Sequence, residues 1–253
     1  FVDQQVMTID VEPLGKKKIE LDVSVPTDGE YVLTLSFVLR EDTPWAKRGH
    51  EVAYGQEVLG HMPEAVPSDR PYQVTRGWHN VGVKGQDFEV LFSILHGGLV
   101  SYRYGGVELF KSIPKPNFWR ALTDNDAANL LPFRAGQWKI ASMYSSFKYE
   151  HGRAATDCTI DEAENHVTIT YTYHLPVKPQ MDCQVAYSVY GDGEVKVAMT
   201  MDPSAEVGEL PEYSMLFTMD ADYDNLTWYG LGPEETYVDK CHAKLGLYSN
   251  KVA

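Results

Sequence analysis

A chain of 253 residues, 43% hydrophobic and 23% charged, has the composition of a folded globular protein and the length of two moderate domains. Its formal net charge of −14 repels phosphate backbones and anionic membrane surfaces, which argues against nucleic acid or a membrane as partner and suits a neutral ligand such as a sugar. Cys158, Cys183 and Cys241 are far apart, with no metal-ligand spacing and no C-x-x-C, so they read as reduced thiols. No apolar run reaches membrane-spanning length and no signal peptide is visible, so the expected location is the cytoplasm, of bacterial type.

Ile19, Leu21, Val23 and Val25 alternate with Glu20, Asp22 and Ser24, the period of a half-buried strand. Pro26-Thr27-Asp28-Gly29 then supplies a turn, and Tyr31, Leu33, Leu35, Phe37 and Leu39 alternate again. The pair predicts a hairpin of a small sandwich, with Val52 to Leu59 as its last strand. Gly60 to Arg76 reads as a stiff linker, with Pro63, Pro67 and Pro71 and no period. Beyond Trp78, alternation at Phe88, Val90, Phe92 and Ile94, then at Val100, Tyr102 and Tyr104, predicts a meander turned by Gly97-Gly98 and Gly105-Gly106. Pro114 and Pro116 end any strand or helix that reaches them. Gly136 to Tyr144 predicts one short helix. Strands follow at Val167–Tyr173, Val185–Val189, Val195–Met201, Met215–Met219 and Leu226–Tyr229, with Gly191-Asp192-Gly193 as a hairpin turn. Nothing reads as a long amphipathic helix, so the expected class is all-β.

The densest chemistry lies in Phe118-Trp119-Arg120-Ala121-Leu122-Thr123-Asp124-Asn125-Asp126. Asp124, Asn125 and Asp126 are turn formers, and Arg120 can make a two-pronged contact with a carboxylate, so the stretch predicts a rigid loop with Arg120 paired to Asp124 or Asp126. The alternate carboxylates resemble a calcium loop, but the glycine at its sixth position and the glutamate at its twelfth are missing. Gly230-Leu231-Gly232 lacks the third glycine of a dinucleotide fingerprint, and His50 to Tyr54 lacks the second histidine of a zinc helix. Glu234 and Glu235 are adjacent, so in extended backbone they point to opposite faces and cannot act as a carboxyl pair on one bond. Trp119, Trp138, Trp228 and Tyr229 form either a sugar-stacking platform or core packing, of which packing is the commoner role.

The same nine residues, Phe118 to Asp126, resemble the hallmark of the C-terminal β-sandwich in β-galactosidases of glycoside hydrolase family two. Trp228-Tyr229-Gly230-Leu231-Gly232-Pro233-Glu234-Glu235-Thr236-Tyr237, followed by Asp239-Lys240, is similar to that family's Trp-x-Gly-x-Gly-Pro-x-Glu-x-Tyr run with its Asp-Arg or Asp-Lys step. Thr43-Pro44-Trp45-Ala46 and Gly49-His50-Glu51-Val52-Ala53 look like the immunoglobulin-like domain that precedes the sandwich there. The chain departs from the pattern at Ala128, where the family has glycine, and at Pro211-Glu212-Tyr213-Ser214, where it has Pro-Arg-x-Gly.

The resemblance implies a partial immunoglobulin-like domain over 1–60, a linker over 61–76 and a galactose-mutarotase-like β-sandwich of the small-chain type over 77–253, incomplete at its C-terminus. It implies a non-catalytic segment of an enzyme that hydrolyses terminal β-galactosides with retention. The catalytic glutamates, with Mg and Na, belong to a (β/α)₈ barrel, whose strand–helix alternation this sequence lacks. The expected partners are the rest of the polypeptide or a large catalytic subunit, and the parent is expected to be a homo-oligomer. Asn129, Leu130, Leu131, Phe133 and Arg134, just after the first hallmark, are expected at the rim of the active site. Trp119, Arg120, Asp124, Asn125, Asp126, Trp228, Gly230, Gly232, Pro233, Glu235 and Tyr237 are expected to form a structural network. The alternative is a stand-alone carbohydrate-binding or adhesion sandwich.

Overall fold

The computed structural model describes residues 2–26, 28–62, 66–144, 157–237 and 240–252. The first strands are β1 (Glu30–Val38) and β2 (Glu51–Gly60). Five more follow: β3 (Gln73–Arg76), β4 (Asn80–Lys84), β5 (Phe88–Ser93), β6 (Gly98–Tyr104) and β7 (Val107–Glu108). After β8 (Lys115–Asn117) come the helices α1 (Asp124–Ala128), α2 (Leu131–Arg134) and α3 (Gly136–Tyr144). Then come β9 (Cys158–Glu162), β10 (His166–Leu175), β11 (Met181–Tyr190), β12 (Val195–Met201) and β13 (Ser214–Leu216). The last strands are β14 (Asn225–Gly232) and β15 (Lys244–Lys251). The class is all-β.

Two compact units divide the chain, Phe1–Ala65 with Thr227–Asn250, and Val66–Leu226 with Lys251–Ala253. In the first unit β1 pairs antiparallel with β2, from Glu30 opposite Gly60 to Val38 opposite Glu51, and β14 pairs with β15. This corrects one expectation. Residues 19–25 form no strand and belong to no described ladder, and Ile19, Leu21 and Val23 are exposed. Alternation marks a face that can be buried, but a strand also needs a neighbour for its backbone N–H and C=O groups. Here the neighbour of β1 is β2, across the connection 39–50.

The second unit is a sandwich. One antiparallel sheet runs β3-β4-β5-β6-β7 and the other β12-β11-β10-β9. Along β10, Val167, Ile169, Tyr171 and Tyr173 are buried while the intervening threonines are less so. Cys183, Val185, Tyr187 and Val189 of β11 continue that inner face, and Val81, Val83, Val90 and Phe92 line the other. Phe92 meets Tyr187 with ring centroids 5.4 Å apart. Buried tyrosines are tolerated because their hydroxyls find backbone carbonyls: Tyr173 donates to Gly97 O at 3.2 Å, Tyr171 to Gly98 O at 3.5 Å and Tyr187 to Pro114 O at 3.5 Å. Cys158 and Cys183 lie in this core, and burial pushes their thiols up to about 11 and about 12.

Two further expectations change. The stretch read as linker up to Arg76 ends in a strand, because Gln73–Arg76 pairs with β4 as β3. Pro116 does not stop a strand: it sits in β8 opposite Met215 of β13. This two-stranded ladder is all edge, the setting in which proline's missing N–H is tolerated.

Candidate functional site

The chain leaves β8 into the Phe118–Asp126 stretch, which is anchored from below by α3. Phe118 is fully buried, and its ring packs on Trp138 at 5.5 Å and on Tyr213 at 6.3 Å. Its N–H donates to Ser142 Oγ at 2.7 Å, and that hydroxyl donates to Trp138 O at 3.0 Å. Asn117 Nδ2 donates to Trp119 O at 2.9 Å and to Ser214 Oγ at 3.1 Å.

Arg120 grips Asp126 with both arms, Nη1 to Oδ2 at 2.5 Å and Nη2 to Oδ1 at 3.1 Å. Its Nε donates to Pro211 O at 3.1 Å and Nη1 also to Ala121 O at 3.1 Å. The partner is therefore Asp126, while Asp124 and Asn125 are exposed. The stretch is not a simple loop, since Asp124–Ala128 is a short helix. Thr123 Oγ1 accepts the Asp126 N–H at 3.1 Å, and Asp126 Oδ2 accepts the Thr123 N–H at 2.9 Å. That reciprocal pair is a capping box, and the spacing Thr123-x-x-Asp126 was its visible sequence signal. Ala128, where glycine was expected, closes this helix, and alanine is the better helix former. Both Asp126 oxygens are thus engaged by Arg120 and Thr123, while Asp124 faces solvent. Among the described residues no group of three or more His, Cys, Asp or Glu is placed to hold a metal.

The Arg120 guanidinium, then the Thr123 N–H, hold the Asp126 carboxyl down at about 2, against an ordinary 3.8. A depressed carboxylate stabilises the fold above its unfolded pKa, and that stability is lost as pH falls through the folded value. The melting-temperature gap between the unmodified chain and Asp126→Asn is therefore expected to be full above pH 4 and to shrink between about pH 4 and 2. A gap that stays constant down to pH 2 would contradict the pairing. Arg120→Ala strands a carboxylate that is only 14% exposed and is expected to lower the melting temperature by roughly 5 °C or more.

Beyond α1 the chain turns through Leu130, a non-glycine residue in the left-handed region at φ 60°. Pro132 lies in the first turn of α2. Leu131 is buried, but Leu130 is 57% and Phe133 84% exposed. Arg134 ties the segment down, through Nη1 to Glu209 Oε1 at 2.5 Å and through Nε to Asn129 O at 2.9 Å. The expected rim residues thus form one short piece with a buried anchor, an ionic strap and two bare apolar side chains.

The second hallmark lies in the first unit. The Trp228 ring packs on Tyr248 at 5.5 Å, and its Nε1 donates to Leu231 O at 3.4 Å. Gly232 is buried, and a Cβ there would come within 2.9 Å of the Tyr248 ring. Gly230 is half-buried, and Pro233 and Glu235 are exposed. Tyr237 and Lys240 exchange two backbone hydrogen bonds of 3.1 and 3.0 Å. Lys240 Nζ also holds Glu234 at 3.0 Å. Asp239, the acidic member of the expected Asp-Lys step, lies outside the described residues. Trp138 is buried and Trp228 is stacked on Tyr248, so packing, the commoner role, is what these two rings do within their own units.

The sequence reading missed a third cluster. His174 Nδ1 lies 2.7 Å from Asp182 and Nε2 3.3 Å from Asp157. The hydrogen bond with Asp182 chiefly raises its pKa. Both ring nitrogens are engaged, so this histidine is a poor acid–base catalyst.

Comparison with known proteins agrees with these hallmarks. Residues 84–253 match the family described as "Beta galactosidase small chain", and residues 2–60 match "Beta-galactosidase, domain 4". The β-galactosidase of Clostridium acetobutylicum is 37% identical over 248 residues, 96% of this chain and 27% of its own. That of Priestia megaterium is 38% identical over 263 residues, 100% of this chain and 24% of its own. The β-galactosidase small subunit of Latilactobacillus sakei is 34% identical over 176 residues, 63% of this chain and 54% of its own. The chain spans about a quarter of the length of the first two relatives. With the small-chain match covering well over half of its residues, the chain belongs to the β-galactosidase family, as a segment that carries the family's small-chain domain.

Proposed function

We propose that this chain is a non-catalytic segment of a β-galactosidase that packs on the catalytic part and uses residues 129–134 to shape the rim of the active site. The observation that carries this reading is the bare pair Leu130 and Phe133 beside buried Leu131, on a segment that follows the capped helix α1 and is tied down by Arg134. Clustered exposed apolar side chains are what a docking surface or a site wall presents. Residues 1–60 act as an immunoglobulin-like spacer, and the sandwich from residue 77 onward supports the rim segment. The two carboxyl groups that retaining hydrolysis places about 5 Å apart sit in the rest of the polypeptide or in a large subunit, with the Mg and Na sites. The substrate is a terminal β-galactoside, and the assembled enzyme works in the cytoplasm as a homo-oligomer.

The test uses the purified chain with a nitrophenyl β-galactoside. The expected result is no nitrophenol release above the buffer rate. Release that disappears in Glu234→Gln or Glu235→Gln would overturn the non-catalytic reading.

A further inference from the structure

Within the first unit, β2 meets a segment nearly two hundred residues away in sequence. Gln56 faces Leu245 with both ends of its carboxamide. Leu245 N–H donates to Oε1 at 2.7 Å, and Nε2 donates to Leu245 O at 3.0 Å. A neighbouring strand would make the same two bonds through its backbone, so a single side chain here reads the main chain of β15. Gln56 is itself steadied by Thr34 Oγ1 at 2.9 Å.

Beside it, Lys244 Nζ donates to Glu51 Oε1 at 2.5 Å while the Ser36 hydroxyl donates to the other carboxylate oxygen. Lys244 Nζ also stands 4.6 Å from the centre of the Tyr54 ring, and the Tyr54 hydroxyl donates to His242 O. On β14, the Tyr229 hydroxyl donates to Glu30 of β1 at 2.7 Å. These contacts are polar and directional. An open cleft of about 620 Å³, lined by Gln56, Cys241 and His242 among others, runs along them, so apolar packing holds little of the seam.

Glu30, Glu51, Tyr54 and Gln56 belong to the stretch matched to domain 4, while Tyr229, Lys244 and Leu245 belong to the stretch matched to the small chain. We infer that the β1–β2 face carrying Glu51, Tyr54 and Gln56 is an interaction surface whose partner is the β14–β15 hairpin, and that it joins the domain-4 and small-chain stretches without needing the peptide connection between them. The seam is specific because Gln56 matches one backbone position and Lys244 matches one carboxylate. It weakens with salt, since its charged members are about one-third exposed, at 36% and 31%.

The test keeps the whole chain and replaces residues 63–65 with a protease site. After cleavage, the two pieces are run on a sizing column at low and high salt. They are expected to co-elute at low salt and to separate progressively as salt rises. Glu51→Lys and Lys244→Glu are each expected to weaken the pairing roughly three- to tenfold, and the double reversal to restore it. Lys244→Met, which adds no opposing charge, is expected to weaken it less. Immediate separation of the unmodified cleaved chain would overturn the inference. So would co-elution unchanged in both single reversals, since the pieces would then be held elsewhere.

Discussion

Phe118→Ala is expected to lower the stability of the chain by about 3–5 kcal/mol, the range for removing a fully buried aromatic side chain. The ring is fully buried and bridges two elements that the sequence separates, α3 through Trp138 and the loop before β13 through Tyr213. Removing it deletes those ring contacts and leaves a cavity between Trp138 and Tyr213. The neighbouring Ser142 bond is made by the Phe118 backbone and survives the substitution, so the loss reports packing rather than a hydrogen bond. Urea unfolding of the two proteins gives the difference. A loss below about 1 kcal/mol would mean the site collapses around the missing ring and that Phe118 is not its anchor.

Gly191→Ala is expected to cost roughly 3 kcal/mol or more, by overpacking. A Cβ built on Gly191 would stand 1.7 Å from Arg70 O and 2.7 Å from the Arg70 carbonyl carbon. Both are backbone atoms, which cannot swing aside as a side chain does, so either the β11–β12 turn or the chain entering β3 must move. Gly191 carries no positive φ, so the effect is steric rather than conformational. Gly105→Ala is the control, because Gly105 sits at φ 55° with nothing within 4 Å of its built Cβ. That change is expected to cost only about 1–2 kcal/mol of left-handed strain. Equal losses at the two glycines, measured by thermal unfolding, would contradict the close approach of Arg70.

The sandwich was legible where one face is buried and a turn residue fixes the register. β10 and β11 alternate strictly, and Gly191-Asp192-Gly193 turns β11 into β12 where the pattern placed the hairpin. The same rule failed at 19–25, because alternation says which face can be buried and not which strand is the neighbour. It also failed at Pro116, because whether a proline ends a strand depends on which edge its nitrogen faces, a tertiary fact. In the site, residue type and spacing narrowed the Arg120 partner to Asp124 or Asp126, and only the structure selects Asp126. The helix α1 was not recognised, because the turn-forming character of Asp124, Asn125 and Asp126 outweighed the capping-box spacing from Thr123. The seam made by Gln56 was invisible in the sequence, since its partner is a backbone group with no signature of its own.

In the enzyme that carries the catalytic part, whether continuous with this chain or a separate subunit, kcat/KM for a nitrophenyl β-galactoside is compared before and after Phe133→Ser. Phe133 is 84% exposed in this chain, so the substitution is expected to leave the melting temperature of the isolated chain unchanged. kcat/KM is expected to fall by about tenfold or more while that stability holds, because a rim residue acts on substrate positioning or on the seat of the catalytic part. Unchanged kinetics in the assembled enzyme would contradict it and leave the segment 129–134 as ordinary surface.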